Sequence, residues 1–330
     1  MVQHELDVVG IGNAIVDVLA HADETLLETH GLVKGAMTLI DVARAEALYR
    51  AMGPGVEVSG GSAANSIAGL GSLGGRGGFV GKVSDDQLGQ IFGHDIRAAG
   101  VAFETAPSRS GVPTARCLIF ITPDAQRTMQ TYLGACVELG PEDIDPAFIA
   151  RAKVTYLEGY LWDPPRAKEA FRKAAALAHA AGRKVALTLS DPFCVERHRA
   201  EFRELVQGHV DILFANEAEI CSLWEVKSFD DAVAATRSQC EVAALTRSAK
   251  GSVVLAGAAT HVIAAEPVDR VVDTTGAGDL YVSGFLYGYT RGRPLAECGR
   301  IASIAAAEII SHFGARPETP LSALIPAPTA

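Results

Sequence analysis

From about residue 150 onward, short continuous apolar runs alternate with longer segments whose apolar positions recur at helical spacing. "VTYLEGYLW" (154–162), "KVALTLS", "VDILFA", "VAALT" and "SVVLAG" have strand length and carry little polar alternation. Asp163-Pro164-Pro165 reads as an N-cap followed by proline suited to a first helical turn, and the alanine-rich residues 166–181 read as a helix closed by Gly182. Further helices are expected through "ERHRAEFRELV" and around Glu219 and Asp231. Apolar strands separated by helices predict an α/β fold, a mostly parallel central sheet covered by helices on both faces.

Two early regions break this rhythm. "RCLIFITPDAQRTMQTYLG" alternates from side to side and predicts two strands joined by a turn over residues 123–126, and "DVLAHAD" and "MTLID" also have strand character without crossover helices. They predict a small antiparallel β-sheet built from segments of about 14–58 and 104–135 inserted into the α/β body. Such a sheet acts either as a lid over the main sheet's edge or as a static appendage. The glycine-dense "GLGSLGGRGGF" is too short for a linker and reads as turns between packed elements.

Composition narrows the classes. Of 330 residues, 48% are hydrophobic and 21% charged, as in a globular protein rather than a disordered chain. The length predicts one large domain with an appendage, or two domains. The formal charge is −10, with no block of Lys or Arg, which argues against nucleic acid or an anionic membrane as partner. The opening "MVQHELDVVGIG" lacks the layout of a signal peptide, and the six scattered cysteines form no Cys-x-x-Cys pair, so buried reduced thiols and a cytoplasmic location are expected. His198, set among charges, is expected on a solvated helix face rather than at zinc.

Two glycine motifs fail on inspection. "GIGNAI" places Ile15 where a dinucleotide fingerprint needs glycine, and "GKV" lacks both the earlier glycine of a P-loop, where Arg76 stands, and its Ser or Thr, where Val83 stands. "DTTGAGDLYVSGF" (273–285) is stronger. Gly276, Ala277 and Gly278 let backbone N–H groups approach an anion at the start of a helix, and Asp279 is either a cap or a base beside that anion hole. "GGSAANS" (60–66) supplies another close turn followed by Asn65, and Asn13 and Asp17 lie just beyond the first strand. A paired amide and carboxylate suit vicinal hydroxyls, although each residue alone also serves in turns and caps. "NEAE" (216–219) follows a strand directly, as a capped helix start or a water-mediated magnesium site.

Together these stretches resemble the ribokinase-like (pfkB) family of carbohydrate kinases. "GGSAANS" is similar to its first signature, "DTTGAGDLYVSGF" to its second, "NEAE" to its Asn-Glu-x-Glu element and "TRSAKG" (246–251) to its nucleotide-side turn. The similarity runs from "VVGIGNAIVD" to "AAAEIISHFGARP", and "GNAIVDV", "TLSDPF" and "DILFANEAE" resemble the adenosine kinase branch most. The resemblance implies ATP-dependent phosphorylation of a ribonucleoside 5′-hydroxyl, with adenosine as acceptor, or a kinase acting on a free sugar such as ribose or fructose. It implies Asp279 as base and Gly276, Ala277 and Gly278 as anion hole. Asn13, Asp17, Gly61, Ser62 and Asn65 become sugar contacts, and Leu39, Tyr160 and Phe193 become walls for a base. Asn216, Thr246, Ser248, Gly251, Thr275 and Arg127 fall on the nucleotide side, with Asn216 and Glu219 reaching Mg2+ through water. Arg127 sits by the lid's turn, either swinging toward phosphates or lying on the surface. Met37 stands where that branch has a polar contact, and Tyr160 where it has Phe. A monovalent cation such as K+, and the choice between monomer and homodimer, stay open.

Overall fold

The computed structural model describes residues 5–124 and 126–325. Residue 125, in the turn expected over 123–126, and residues 1–4, in the opening stretch, lie outside them. Strand β1 (Leu6–Ile11) starts the large sheet, and β2 (Ile15–His21), β3 (Met37–Leu39) and β4 (Gly55–Gly60) belong to a small one. Strands β5 (Gly77–Val80) and β6 (Ala102–Phe103) return to the large sheet, and β7 (Ala115–Ile121) and β8 (Arg127–Tyr132) complete the small one. The large sheet ends with β9 (Ala152–Glu158), β10 (Lys184–Thr188), β11 (Ile212–Asn216), β12 (Val242–Thr246), β13 (Ser252–Ala256) and β14 (Ala259–Ile263). Its order is β14-β13-β12-β11-β10-β9-β1-β5-β6, parallel except for the last two hairpin pairings at β13 and β14.

Alternate residues of each central strand feed opposite cores, which is why the strands read as unbroken apolar runs. Val9, Leu157, Leu213 and Leu245 join the core beneath the helices Pro165–Ala180 and Pro192–Gly208, around Trp162, Phe171 and Phe202. Val8, Tyr156, Phe214 and Ala244 join the other, beneath Ser62–Ser72, Gln87–Ala98, Ala277–Tyr289 and Leu295–Ile309. There Phe285 meets Phe214 edge to face at 5.4 Å. Fully burying such a ring contributes roughly 1.5–3 kcal/mol.

One contact in that second layer positions everything that follows. A Cβ on Gly69 would stand 2.5 Å from both Leu280 Cδ1 and Ser283 Oγ, so glycine lets the helices Ser62–Ser72 and Ala277–Tyr289 lie almost backbone to backbone. Ser283 Oγ bonds across them, donating to the Ser66 carbonyl at 2.7 Å.

The small sheet is mixed rather than antiparallel. Its order is β3-β8-β7-β2-β4, with β2 parallel to β7 and β3 parallel to β8. The chain leaves the body twice from the same edge, so the two outgoing strands β2 and β7 point the same way. One face of this sheet is sealed by the helices Glu24–Thr29 and Val42–Ala51 around Val18, Leu27, Leu48, Leu118 and Phe120. The other face carries Ile15, Asp17, Met37, Leu39, Cys117 and Met129 into a cleft.

Three local expectations need correction. The run 154–162 is a strand only to Glu158, and Gly159–Trp162 turns as a 3-10 helix because the sheet's carboxyl edge is reached there. Asp163 does not cap the following helix; Pro164 holds the cap position, and Asp163 takes a 2.9 Å ion pair from Arg197 instead. His198 is mostly enclosed, with Nε2 2.6 Å from Asp163 Oδ1, because the helix is kinked at that residue and turns the ring inward.

Candidate active site

The cleft lies over the carboxyl ends of the parallel strands, at the point where the connections diverge. From β1 the sheet runs one way to β5 and the other way to β9. Its volume is about 700 Å3. The small sheet walls one side of it.

Asp279 occupies the third position of the helix Ala277–Tyr289, after Gly276 at φ +79° with no side-chain cap. Its Oδ1 accepts from Ser62 Oγ at 2.6 Å and its Oδ2 from Asn65 Nδ2 at 3.1 Å. The carboxylate is therefore tied to the neighbouring helix and does not cap its own. The Ala277 N–H turns back to the Thr274 carbonyl at 3.2 Å, while those of Gly278 and Asp279 have no acceptor within the helix. A Cβ on Gly278 would meet no atom within 4 Å; it would stand in the cleft. Two first-turn donors, a helix dipole and the space beside Gly278 have the chemistry to receive an oxyanion.

Three acids converge here. Asp279 is open to the cleft but deeply set, and burial raises its pKa against the opposing bonds of Ser62 and Asn65 and the charge of Arg316. Burial likewise raises Asp17 to about 7, opposed by Arg316 and Arg127. Glu158, buried at the carboxyl end of β9, is raised to about 7 by burial and by Asp279, although it accepts from Ala63 N at 2.8 Å and Asn13 Nδ2 at 2.8 Å. The sequence reading missed Glu158. Its signal was a single carboxylate ending an apolar strand, at the edge where such sheets bind ligands. It caps the helix Ser62–Ser72 from outside, since Gly61 offers no side chain for the purpose, and it turns the Asn13 amide so that Oδ1 is the atom left for a ligand.

Asn13, Asp17, Gly61, Ser62 and Asn65 all line the cleft, as do Leu39, Tyr160 and Phe193. Met37, Leu39 and Phe193 are 49%, 56% and 72% exposed, an apolar surface left in the open along one cavity, which is how ligand walls look. Tyr160 joins them with its hydroxyl donating to the Ser190 carbonyl at 3.3 Å, so the protein satisfies the ring's polar tip.

Of the residues that the resemblance puts on a nucleotide side, Asn216, Glu219, Thr246 and Thr275 line the cleft. Ser248 and Gly251 are not among the lining residues; they form the tight turn between β12 and β13. Asn216 and Glu219 make a reciprocal capping box, Asn216 Oδ1 accepting from Glu219 N and Glu219 Oε2 from Asn216 N, both at 2.9 Å. Among the described residues no three His, Cys, Asp or Glu side chains are grouped to hold a metal. One carboxylate already bonded to its own helix fits a magnesium ion held mainly by phosphate oxygens and water, and not a closed protein cage.

Arg127 is not on the surface. Its side chain is 9% exposed, pairs with Asp273 at 2.7 Å and donates to Thr275 Oγ1 at 3.3 Å. Asp273 in turn accepts from Thr275 N at 3.1 Å and Gly314 N at 3.1 Å, so this pair joins the small sheet to the loop that precedes the anion cradle.

A model of the pfkB carbohydrate kinase family matches residues 32–321. The crystal structure of an adenosine kinase from Sinorhizobium meliloti superposes with a TM-score of 0.90 at 56% identity, covering 97% of this chain and 98% of that one. A probable sugar kinase from Rhizobium etli CFN 42 gives a TM-score of 0.91 at 51% identity, over 98% of each chain. A 5-dehydro-2-deoxygluconokinase from Shouchella clausii is 28% identical, over 79% of this chain and 83% of its own length.

The buried acids make stability depend on pH. Glu158 takes up its proton at about 7 in the fold, against its usual 4.5, so the folded state binds more protons between those values. Its contribution is fully present below 4.5 and is lost as pH rises through 7, an effect of order 1–3 kcal/mol. Glu158→Gln, which keeps the shape but not the charge, is expected to show a smaller loss of denaturation free energy between pH 5 and pH 8 than wild type. Equal slopes for both proteins would show that Glu158 is not the titrating group.

Proposed function

The chain belongs to the pfkB family of carbohydrate kinases, and we propose that it transfers the γ-phosphoryl group of ATP to the 5′-hydroxyl of a ribonucleoside, with adenosine as acceptor. One observation carries this reading: a single cleft holds an acid beside an oxyanion cradle and, with them, the open apolar surfaces of Met37, Leu39, Tyr160 and Phe193. A flat heterocycle can cover such walls over its whole area, whereas a free sugar covers only part of them. The 56% identity to the Sinorhizobium adenosine kinase supports the same acceptor.

In this mechanism Asn13, Asp17, Gly61 and Asn65 hold the ribose hydroxyls, and the 5′-oxygen faces Asp279. Asp279 takes the hydroxyl proton as the O5′–P bond forms and the bond to the β-phosphate oxygen breaks, leaving ADP. Ser62 and Asn65 fix the carboxylate while leaving each oxygen a lone pair to receive that proton. The first-turn N–H groups of Gly278 and Asp279 stabilise the charge on the moving phosphoryl group. Asn216 and Glu219 would reach a magnesium ion through water, and that ion, when bound, would supply positive charge against the phosphate oxygens. Thr246 and Thr275, with the Ser248–Gly251 turn, flank the nucleotide. The small sheet acts as a lid that excludes water, and Arg127, at its edge, moves from Asp273 toward the phosphates.

A kinase acting on a free sugar is the second reading, favoured by the 5-dehydro-2-deoxygluconokinase and the probable sugar kinase among the similar proteins. ATP consumption measured with adenosine, guanosine, inosine, cytidine, ribose and fructose decides between them. Turnover with adenosine at least roughly tenfold above every sugar is expected; a sugar preferred over all nucleosides overturns the acceptor.

Asp279→Asn is expected to lower kcat by at least about 10²-fold, the low end for a lost general base. Near-normal turnover in the folded variant would remove Asp279 from that role. Phe193→Ala should raise KM for the nucleoside by about tenfold while leaving that for ATP within about twofold, since a lost stacking surface is worth roughly 1–3 kcal/mol. Equal effects on both substrates would place Phe193 away from the base.

A further inference from the structure

The carboxy-terminal segment contributes a group that neither signature motif contains. Arg316 reaches back beneath the turn at Gly60 and Gly61 and donates on both sides of it. Its Nη1 bonds the Ala64 carbonyl at 2.9 Å, in the first turn of the helix Ser62–Ser72. Its Nε and Nη2 each bond the Ser59 carbonyl at 3.2 Å, and Nη2 bonds Ser59 Oγ at 3.1 Å, at the end of β4.

Every one of these acceptors is neutral. Among the described residues no carboxylate lies in ion-pair contact with Arg316, which is half-buried in a groove of its own beside Asp95 and spends its donors on neutral oxygens. The acids its charge reaches are Asp17, Asp279 and Asp95, two of which face the cleft. Asp279 is otherwise faced by Ser62 and Asn65 from one helix, and by the acids Asp17 of β2 and Glu158 of β9, together with Tyr156 and Tyr160. Arg127, on β8, acts on Asp17 but is already paired with Asp273. Arg316 is thus the one unpaired positive charge the described residues offer to this crowd of acids.

We propose that Arg316 is a positioning residue: its charge favours the ionised form of Asp279, and its hydrogen bonds pin the turn that joins the small sheet to the helix bearing Ser62 and Asn65. This rests on the reading of Asp279 as base. Without a fixed cation, three neighbouring carboxylates favour sharing protons, and a protonated Asp279 cannot accept another. The burial that raises Asp279 is opposed by Arg316, in keeping with this arrangement.

The test is the pH profile of kcat/KM, from pH 5.5 to pH 9, for the full chain with Mg-ATP and whichever acceptor the panel identifies. Removing the charge raises the carboxylate pKa, so the acid limb moves to higher pH. The loss in Arg316→Met is expected to be at least roughly tenfold larger at pH 6 than at pH 8.5, one pKa unit being a factor of ten. Arg316→Lys, which keeps the charge but not the forked donors, should retain the wild-type limb while melting at lower temperature. A loss equal at all pH values, or no loss, in Arg316→Met overturns the proposal. If Arg316→Met does not fold, the lysine variant decides, and a limb displaced to higher pH in it overturns the proposal too. Asp279→Asn measured alongside separates the two readings. Normal turnover there removes the base role and this proposal together, whereas an inactive Asp279→Asn beside a pH-independent Arg316→Met removes only Arg316.

Discussion

The close packing of two helices governs this molecule. Gly69 allows Ala277–Tyr289 to lie against Ser62–Ser72, and the carboxylate at the start of one is held by the hydroxyl and amide at the start of the other. Both helix N-termini open into the same cleft, and the free N–H groups of Gly278 and Asp279 create a region of positive potential in which an anionic group and an ionised acid can coexist. A larger residue at position 69 would part the helices. The two signature stretches, more than two hundred residues apart in sequence, would then cease to form one site.

That arrangement brings acids together at a cost. Asp17, Glu158 and Asp279 surround one cavity, and burial raises the pKa of each. The fold offsets this with hydrogen bonds rather than with ion pairs. Glu158 replaces a missing cap, Asp279 is held by Ser62 and Asn65, and Arg316 donates only to neutral oxygens. Direct salt bridges would quench the acids; bonds from neutral donors fix them in place and leave their charge free for a ligand. Glu219, raised to about 7 by burial and bonded by Asn216, follows the same pattern at the end of β11.

The small sheet has two unlike faces because its strands alternate. One face is sealed by the helices Glu24–Thr29 and Val42–Ala51, and the other presents Met37, Leu39 and Met129 to the cleft. Its link to the start of the helix Ala277–Tyr289 is the pair of Arg127 with Asp273, beside the loop leading to Gly276. In the proposed mechanism that pair exchanges for phosphate, so closing over the nucleoside and engaging the nucleotide are coupled through one side chain.

Much of the fold was legible in local pattern. Continuous apolar strands separated by helices announce a parallel sheet buried on both faces, because each residue on such a strand meets a core. The glycine turn before Asp279 and the Asn216–Glu219 box were legible for a similar reason: helix starts are local chemistry. The direction of pairing in the small sheet was not, since alternation tells which face a residue takes but not which strand lies beside it. Nor was the role of Glu158, Arg316 or Asp273, whose partners lie at Asn13 and Ala63, at Ser59 and Ala64, and at Arg127. The sequence by itself determined the elements, their apolar faces and the two glycine turns, because these follow from neighbours a few residues away. Only the tertiary structure decided which charges share a cavity, because electrostatic fields and burial depend on distance in space, and chain order does not specify that distance.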